Sequence, residues 1–566
     1  MKADLIIKNA ALYSVRMDDS EIRGSAVAVK DGKILYVGDD AGAEAFKGPD
    51  TELVDAEGVS LLPAFGDGHI HTEGSVAKMQ PSIADIAPEA DDTPDTIVEK
   101  YKARIKTFVE ADPDKEWYFV MGWDQAYFNG SIKGIVKVLS RKDLDEICPD
   151  KPMCVMSYCG HATWVNTKAL EKAGWASPDF PDVPGGIIYR EENGFPTGHL
   201  TEPAVIAKIT ADGKFVFDDN MQKDAIERYQ QKYGIGTGMT MTCDMKSTVQ
   251  GRRVIKALAE EGRAKMRYSY TYCLNPASAE EDYKIALDNV ANDQYSDLVY
   301  CNTLKFFIEG QASDVEPYLD SWCEDNGYPK GYKAPLIWDL DEMFRYMDLG
   351  VEQGFNIHIH AMYSNAVLQA AKLCAKCRQK HPDKNVTYTI AHHASVTDEA
   401  LKIMADNGII ANLQPFWMCA GNDTIVSIPS MFKEPKYGWF PNKVYEDAGI
   451  TVAYGSDFPV TCPADPILGI GTAVTRLVYP GNKDYEEYKG TVYREDQCVT
   501  LKQALKACTA AVAYQFGFYD ITGSLEAGKS ADFVLLDGDI EKTALTEIDN
   551  MKIKATYFKG EKVYQG

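Results

Sequence analysis

Apolar and polar positions alternate through the first sixty residues, in ADLIIKNAALYSV, SAVAVKDGKILYVGD and TELVDAEGVSLLPA, with Asp-Gly and Glu-Gly pairs between the runs. A period of two broken by such pairs predicts short strands joined by tight turns. The C-terminal end repeats the pattern in GSLEAGKSADFVLLDGD and IKATYFKGEKVYQG. Between the ends the period changes. LVYCNTLKFFIEG, FNIHIHA, VTYTIAHHA, IIANLQPF and TVAYGSDFP read as apolar strands. Helical patterns separate them, among them LIWDLDEMFRYMDLGVEQG, SNAVLQAAKLCAKCRQK and TDEALKIMADNG. Strand followed by helix, repeated, predicts parallel strands covered by helices, and repetition around a circle gives a (β/α)8 TIM barrel.

Residues 76–235 keep this rhythm less well and are rich in Asp, Pro and Gly, as in SIADIAPEADDTPD and GWASPDFPDVPGGIIYREENGFPTGH. They read as a large insertion after the first barrel strand. The expected organisation is an α/β chain with a small β-sandwich built from both termini, 1–62 and 519–566, around a barrel at 63–518.

Composition narrows the function classes. With 45% hydrophobic residues the chain is an ordinary globular protein, and its formal net charge of −25 disfavours nucleic acid or an anionic membrane as partner. The opening MKADLIIKNAALYSV has no long apolar run, and no stretch elsewhere is long enough to span a bilayer, so a cytoplasmic location is expected. The thirteen cysteines are scattered; Cys374 and Cys377 have CxxC spacing but no second pair beside them, so reduced thiols are expected. Oligomeric state is left open, a homodimer among the options.

The chain has nine histidines, and two of them stand one residue apart in AFGDGHIH. In a strand, His69 and His71 point to the same side, and glycines 66, 68 and 74 leave room beside them. Two imidazoles at the C-terminal end of a barrel strand suit a divalent transition metal. His360 ends a later strand in NIHIHAM, His392 and His393 end the next in TIAHHAS, and Asp457 ends another in VAYGSDFPV. Lys305 lies in the apolar strand TLKFFIEG, where an amine is costly unless it finds a partner.

These motifs resemble the amidohydrolase superfamily, in the branch related to N-substituted formamide deformylase (the YtcJ-like group). LLPAFGDGHIH, LKFFIEG, HAMYSNA, HHA, LQP and GSDFPV occur in the family's order, together with TLKQALKACT, GSLEAGKSADFVLLD and GHATWVNTKALEKAG. The resemblance spans essentially the whole chain. It implies two zinc ions: one held by His69, His71 and Asp457, a second by His360 and His393, with a carboxylated Lys305 bridging them. It also implies that Asp457 shuttles the proton. His393 is preferred to His392 because the residues after it follow the family pattern, and His358 is expected to be structural. Tyr363, Ser364 and His392 depart from that pattern, Tyr363 and His392 thereby changing the pocket wall, and His199 stands where the family usually carries an apolar residue.

The implied activity is hydrolysis of a C–N bond in an amide or N-formyl-type small molecule by a metal-activated water. The rival readings are an aminohydrolase, a cyclic amide or lactone hydrolase, and a barrel that has lost its metals. HAMYSNAV carries no glutamate after its histidine, which disfavours the aminohydrolase. His161, His199, Tyr363, His392 and Trp417 are candidate substrate contacts, with Trp123 and Phe416 as further aromatic candidates.

Overall fold

In the computed structural model the chain is described except at residues 72–78, 80–83, 87–91, 94, 125–139, 158–161, 185, 216–217, 310–317, 334 and 462–463. It divides into two compact units, Met1–Thr72 with Glu227–Gly566, and Glu73–Ile226.

The first unit holds an eight-stranded parallel barrel. Its strands are β1 (Phe65–Ile70), β2 (Met239–Asp244), β3 (Arg267–Cys273), β4 (Val299–Phe307), β5 (Asn356–Ala361), β6 (Tyr388–His392), β7 (Ile410–Leu413) and β8 (Val452–Tyr454). They neighbour one another in sequence order, and a parallel bridge between Ile70 and Phe458 closes the circle. The sequence dictates this by burying whole strands, since β2, β6, β7 and β8 have no exposed residue.

The covering helices form where the apolar period is 3.6. Leu340–Glu352 buries Met343, Tyr346, Met347, Gly350 and Val351 on one face. Its N-cap Asp339 accepts from the backbone N–H groups of Asp341 and Glu342. Gly350 has no side chain because a Cβ there would stand 2.4 Å from Leu304 of β4. Asp398–Asp406 starts in the same way, with the Thr397 hydroxyl accepting from the Ala400 N–H. Among the described residues no helix is long and apolar enough to cross a membrane.

Both ends of the chain build the sandwich. A six-stranded sheet runs in the order Glu561–Gln565, Ile553–Phe558, Phe533–Leu536, Ser60–Pro63, Ala11–Val15, Glu21–Gly24. A four-stranded sheet runs Lys33–Gly38, Ala26–Lys30, Leu5–Lys8, Glu52–Asp55. Leu5, Ile7, Val27, Val29, Leu61, Phe533, Leu535 and Tyr557 share one core. Ser60–Pro63 pairs with Phe533–Leu536 and leads directly into β1, so the termini are pinned where the barrel begins.

The second unit carries a mixed six-stranded sheet, ordered Ile187–Arg190, Pro196–Thr201, Ala162–Val165, Met153–Ser157, Tyr118–Trp123, Ala84–Asp85. Its core includes Tyr101, Trp123 and Trp164, the two indoles stacked at 3.8 Å.

A buried ion pair joins barrel and sandwich. Arg267 at the start of β3 meets Asp532, both side chains fully buried, and also donates to Ser530 Oγ at 2.9 Å and Asp297 Oδ2 at 3.1 Å. Removing one partner strands the other charge out of water. Arg267→Met is therefore expected to lower the melting temperature sharply, by a loss on the order of 3–5 kcal/mol. Arg267→Met/Asp532→Leu should recover much of that loss. A single substitution with an unchanged melting temperature contradicts this account.

Candidate metal centre

The seam that closes the barrel brings the first cluster together. The Asp457 N–H donates to His69 O at 2.7 Å, and the His71 N–H donates to Phe458 O at 2.8 Å. Asp67 Oδ1 accepts from the N–H groups of His69 and Ser456 at 3.1 and 2.9 Å, tying β1 to the segment after β8. Gly455 permits this approach, because a Cβ there would stand 2.6 Å from His69 Cβ. Asp457 has φ 59°, a conformation uncommon for a residue with a side chain, and it is held there by these contacts.

Asp457 Oδ1 consequently lies 3.0 Å from His71 Nε2 and 3.4 Å from His69 Nε2. One ligand atom from each of the three residues falls within 4.8 Å of the others, as a metal ion requires. His69 Nε2 and Asp457 Oδ1 are buried with no aligned hydrogen-bond partner among the described residues. His69 Nε2, His71 Nε2 and Asp457 Oδ1, each able to present a lone pair, converge in a way that fits a cation. His69 Nδ1 is 3.2 Å from His358 Nε2, a contact that orients the imidazole through the nitrogen remote from Asp457.

Lys305 of β4 is fully buried, and its Nζ has no hydrogen-bond partner among the described residues. Burial pushes its pKa down to about 8. Burial, reinforced by neighbouring positive charge, also holds His69, His358 and His392 well below the ordinary imidazole value, so they stand neutral at pH 7. For Asp457, burial opposes ionisation, but the hydrogen bond from His71 beside it and the nearby Lys305 outweigh it and hold the carboxyl below its usual range.

On β6 the structure departs from the expected histidine. Thr389 and Ala391 register with His358 and His360 of β5, so strict alternation would send His393 inward. The chain leaves the extended conformation at His392, φ 88°, and His393, φ 48°, and alternation breaks. His392 then lies 4.6 Å from His69 and 4.3 Å from His360, ring centre to ring centre. His393 is turned away from this group. Its Nε2 donates to Ile390 O at 2.8 Å, and its Nδ1 accepts from the Tyr445 hydroxyl at 2.9 Å. Both ring nitrogens are thus engaged, and burial pushes its pKa down to about 4.

Trp417 stacks on His392 at 5.5 Å and donates from Nε1 to Thr461 Oγ1 at 2.7 Å. Tyr363 is buried against Phe432 and Trp439. Phe416 packs on Tyr479. His199 belongs to the second unit, where it stacks on Tyr189 at 4.5 Å and meets Trp123 edge-on at 6.1 Å. Burial pushes its pKa down to about 4. His161 lies outside the described residues. Sequence reasoning passed over Glu309, whose Oε1 accepts from the Met362 N–H and joins the ends of β4 and β5. It also set His358 apart, although the shared face of His358 and His360 was the signal to include it.

The sequence profile of the amidohydrolase family matches residues 52–564. The chain belongs to the amidohydrolase family. It is a hydrolase of that family, acting on C–N bonds. This amidohydrolase is 27% identical to YtcJ of Bacillus subtilis over 548 residues, 96% of each chain. It is 26% identical to N-substituted formamide deformylase of Arthrobacter pascens over 574 residues, covering 99% of this chain and 98% of that one. Its fold is similar to the crystal structure of an uncharacterized metal-dependent hydrolase from Pyrococcus horikoshii, with a TM-score of 0.70 and 20% identity over 96% of this chain and 98% of that one.

The histidine placement is testable on its own. His392→Ala is expected to reduce the bound metal measured by elemental analysis. His393→Gln should keep wild-type metal content and lower the melting temperature, by a loss on the order of 1–3 kcal/mol for its stranded partners. The opposite pattern would return His393 to the cluster.

Proposed function

We propose that this amidohydrolase cleaves the C–N bond of an amide or N-formyl-type small molecule, using two divalent ions. His69, His71 and Asp457 would hold the first. Lys305, His360 and His392 would hold the second, with Lys305 carboxylated and bridging the pair. The observation that carries this reading is the convergence of His69, His71 and Asp457 within 4.8 Å. Nitrogen and carboxylate donors make zinc the proposed ion. The full-length similarity to a formamide deformylase supports the N-formyl class.

The chain's own groups support each role. A pKa of about 8 leaves part of the Lys305 amine neutral at pH 7. That lone pair adds to carbon dioxide: the Nζ–C bond forms, one N–H proton leaves, and an anion with two oxygens results. This exchanges a buried cation, which would repel a metal, for a ligand. When bound, the metal polarises the substrate carbonyl and lowers the pKa of water to about 7. Asp457 takes a proton from the attacking water and delivers it to the departing nitrogen, serving first as base and then as acid. Its depressed pKa keeps it ionised for the first task. Trp417, stacked on His392, offers an aromatic face to the apolar part of a substrate.

The experiment is hydrolysis of a panel of N-substituted formamides and simple aryl amides by the full chain. Chelation should abolish turnover, and zinc, cobalt or manganese should restore it. Asp457→Asn, checked for metal content, should lose on the order of 10²–10⁴-fold in turnover, with the acidic limb of the pH–rate profile removed. Substrate affinity should change much less. Activity that survives verified metal removal, or a fully metallated Asp457→Asn enzyme of wild-type rate, overturns the proposal.

A further inference from the structure

We propose that a one-way chain of side-chain amides, Gln515 to Asn412 to Gln414, fixes the tautomer of His392 so that Nε2 carries its lone pair. The proposal rests on the reading of His392 as a metal ligand and names the residues that make it one. The chain starts at a group whose role cannot change. Gly68 O is a carbonyl and only accepts, so the atom 3.0 Å from it is the Gln515 Nε2 amino group. Gln515 therefore turns its Oε1 to Asn412, accepting from Nδ2 at 3.0 Å. Asn412 is left with Oδ1 toward Gln414, where it accepts from Nε2 at 2.9 Å. Gln414 is left with Oε1 toward His392 Nδ1 at 3.0 Å, which must then be the N–H. In a neutral imidazole the other nitrogen, Nε2, is the one with a lone pair to give.

The surroundings preserve the direction. Gln515, Asn412, Gln414 and His392 are all buried, so bulk water does not substitute for a mismatched partner. Rotating the middle amide alone would set donor against donor at one junction and acceptor against acceptor at the other. The path itself is cut to size by two glycines. A Cβ at Gly68 would stand 2.6 Å from Asn412 Nδ2, and one at Gly455 would stand 3.1 Å from Asn412 Oδ1. The chain crosses from the helix Ala510–Gln515 past β7 to the end of β6, and its anchor is the residue before His69. The two sides of the cluster thus share one polar thread, with Gln414, Asn412 and Gln515 as positioning residues.

A double-mutant cycle tests this, read as the zinc dissociation constant of the full-length, metal-stripped protein in competition with a chelating dye. Gln515→Met removes the anchor and lets both downstream amides rotate, so zinc binding should weaken on the order of 10–100-fold. Gln414→Glu can only accept, which keeps the His392 N–H served but sets a carboxylate oxygen against Asn412 Oδ1. It should weaken binding by roughly tenfold. In Gln414→Glu/Gln515→Met, Asn412 is free to turn its amino group toward the carboxylate. The double variant should return to within about threefold of wild type, because His392 again has an obligate acceptor. Any general effect of the added charge is the same with or without Gln515 and cancels in the cycle. If Gln515→Met does not fold, Asn412→Ala breaks the chain in its place. Should neither fold, Gln414→Met against Gln414→Glu still decides, since only the glutamate accepts from His392. Losses that simply add, or a chain-breaking variant with wild-type affinity, overturn the relay. A wild-type protein that binds no zinc would instead overturn the metal-site reading.

Discussion

The seam between β1 and the segment after β8 is the constraint on which the site depends. A parallel barrel must pair its first strand with its last, and here that pairing is made by residues to which we assign the chemistry. The backbone of His69 accepts from Asp457, and the backbone of His71 donates to Phe458. Closure of the fold and convergence of three ligand atoms are therefore one event. The positive φ of Asp457 and the absent side chain of Gly455 are local costs of bringing β1 so near. They are tolerated because the seam hydrogen bonds and the Asp67 carboxylate over-determine the position.

Burial then sets the protonation states. An imidazole or amine out of water is easiest to keep neutral, and neutral nitrogen is what binds a cation. The same low polarity would be ruinous if the nitrogens pointed at one another without order. Order comes from partners on the far side of each ring: His358 behind His69, and the amide of Gln414 behind His392. Lys305 is the exception, an amine with no hydrogen-bond partner among the described residues that lies over the Phe307 ring, and the proposed carboxylation would convert that liability into a ligand.

Much of this was legible in the chain. Fully apolar strands separated by 3.6-period helices specify the barrel. Alternating runs broken by Asp-Gly specify the terminal strands, and an HxH at a strand end specifies the shared direction of His69 and His71. The second histidine of the β6 pair is expected inward from the sequence, and the structure turns it away for a definite reason. Alternation holds only while the backbone stays extended, and nothing local in TIAHHAS announces two positive φ angles in succession. The relay was illegible for a different reason. Gln515, Asn412 and Gly68 are far apart in sequence, each is an ordinary polar residue or glycine in its own segment, and only the closed barrel makes them neighbours.

The central claim, that the seam builds a metal centre with His392 inside it and His393 outside, is tested most directly by diffraction. Crystals of the metal-loaded full chain should be measured on both sides of the zinc absorption edge. The account predicts anomalous density between His69, His71 and Asp457, a second peak beside His360 and His392, and extra density extending from Lys305 Nζ. Absence of any peak at the seam from protein shown to contain zinc, or a peak held by His393, would contradict it.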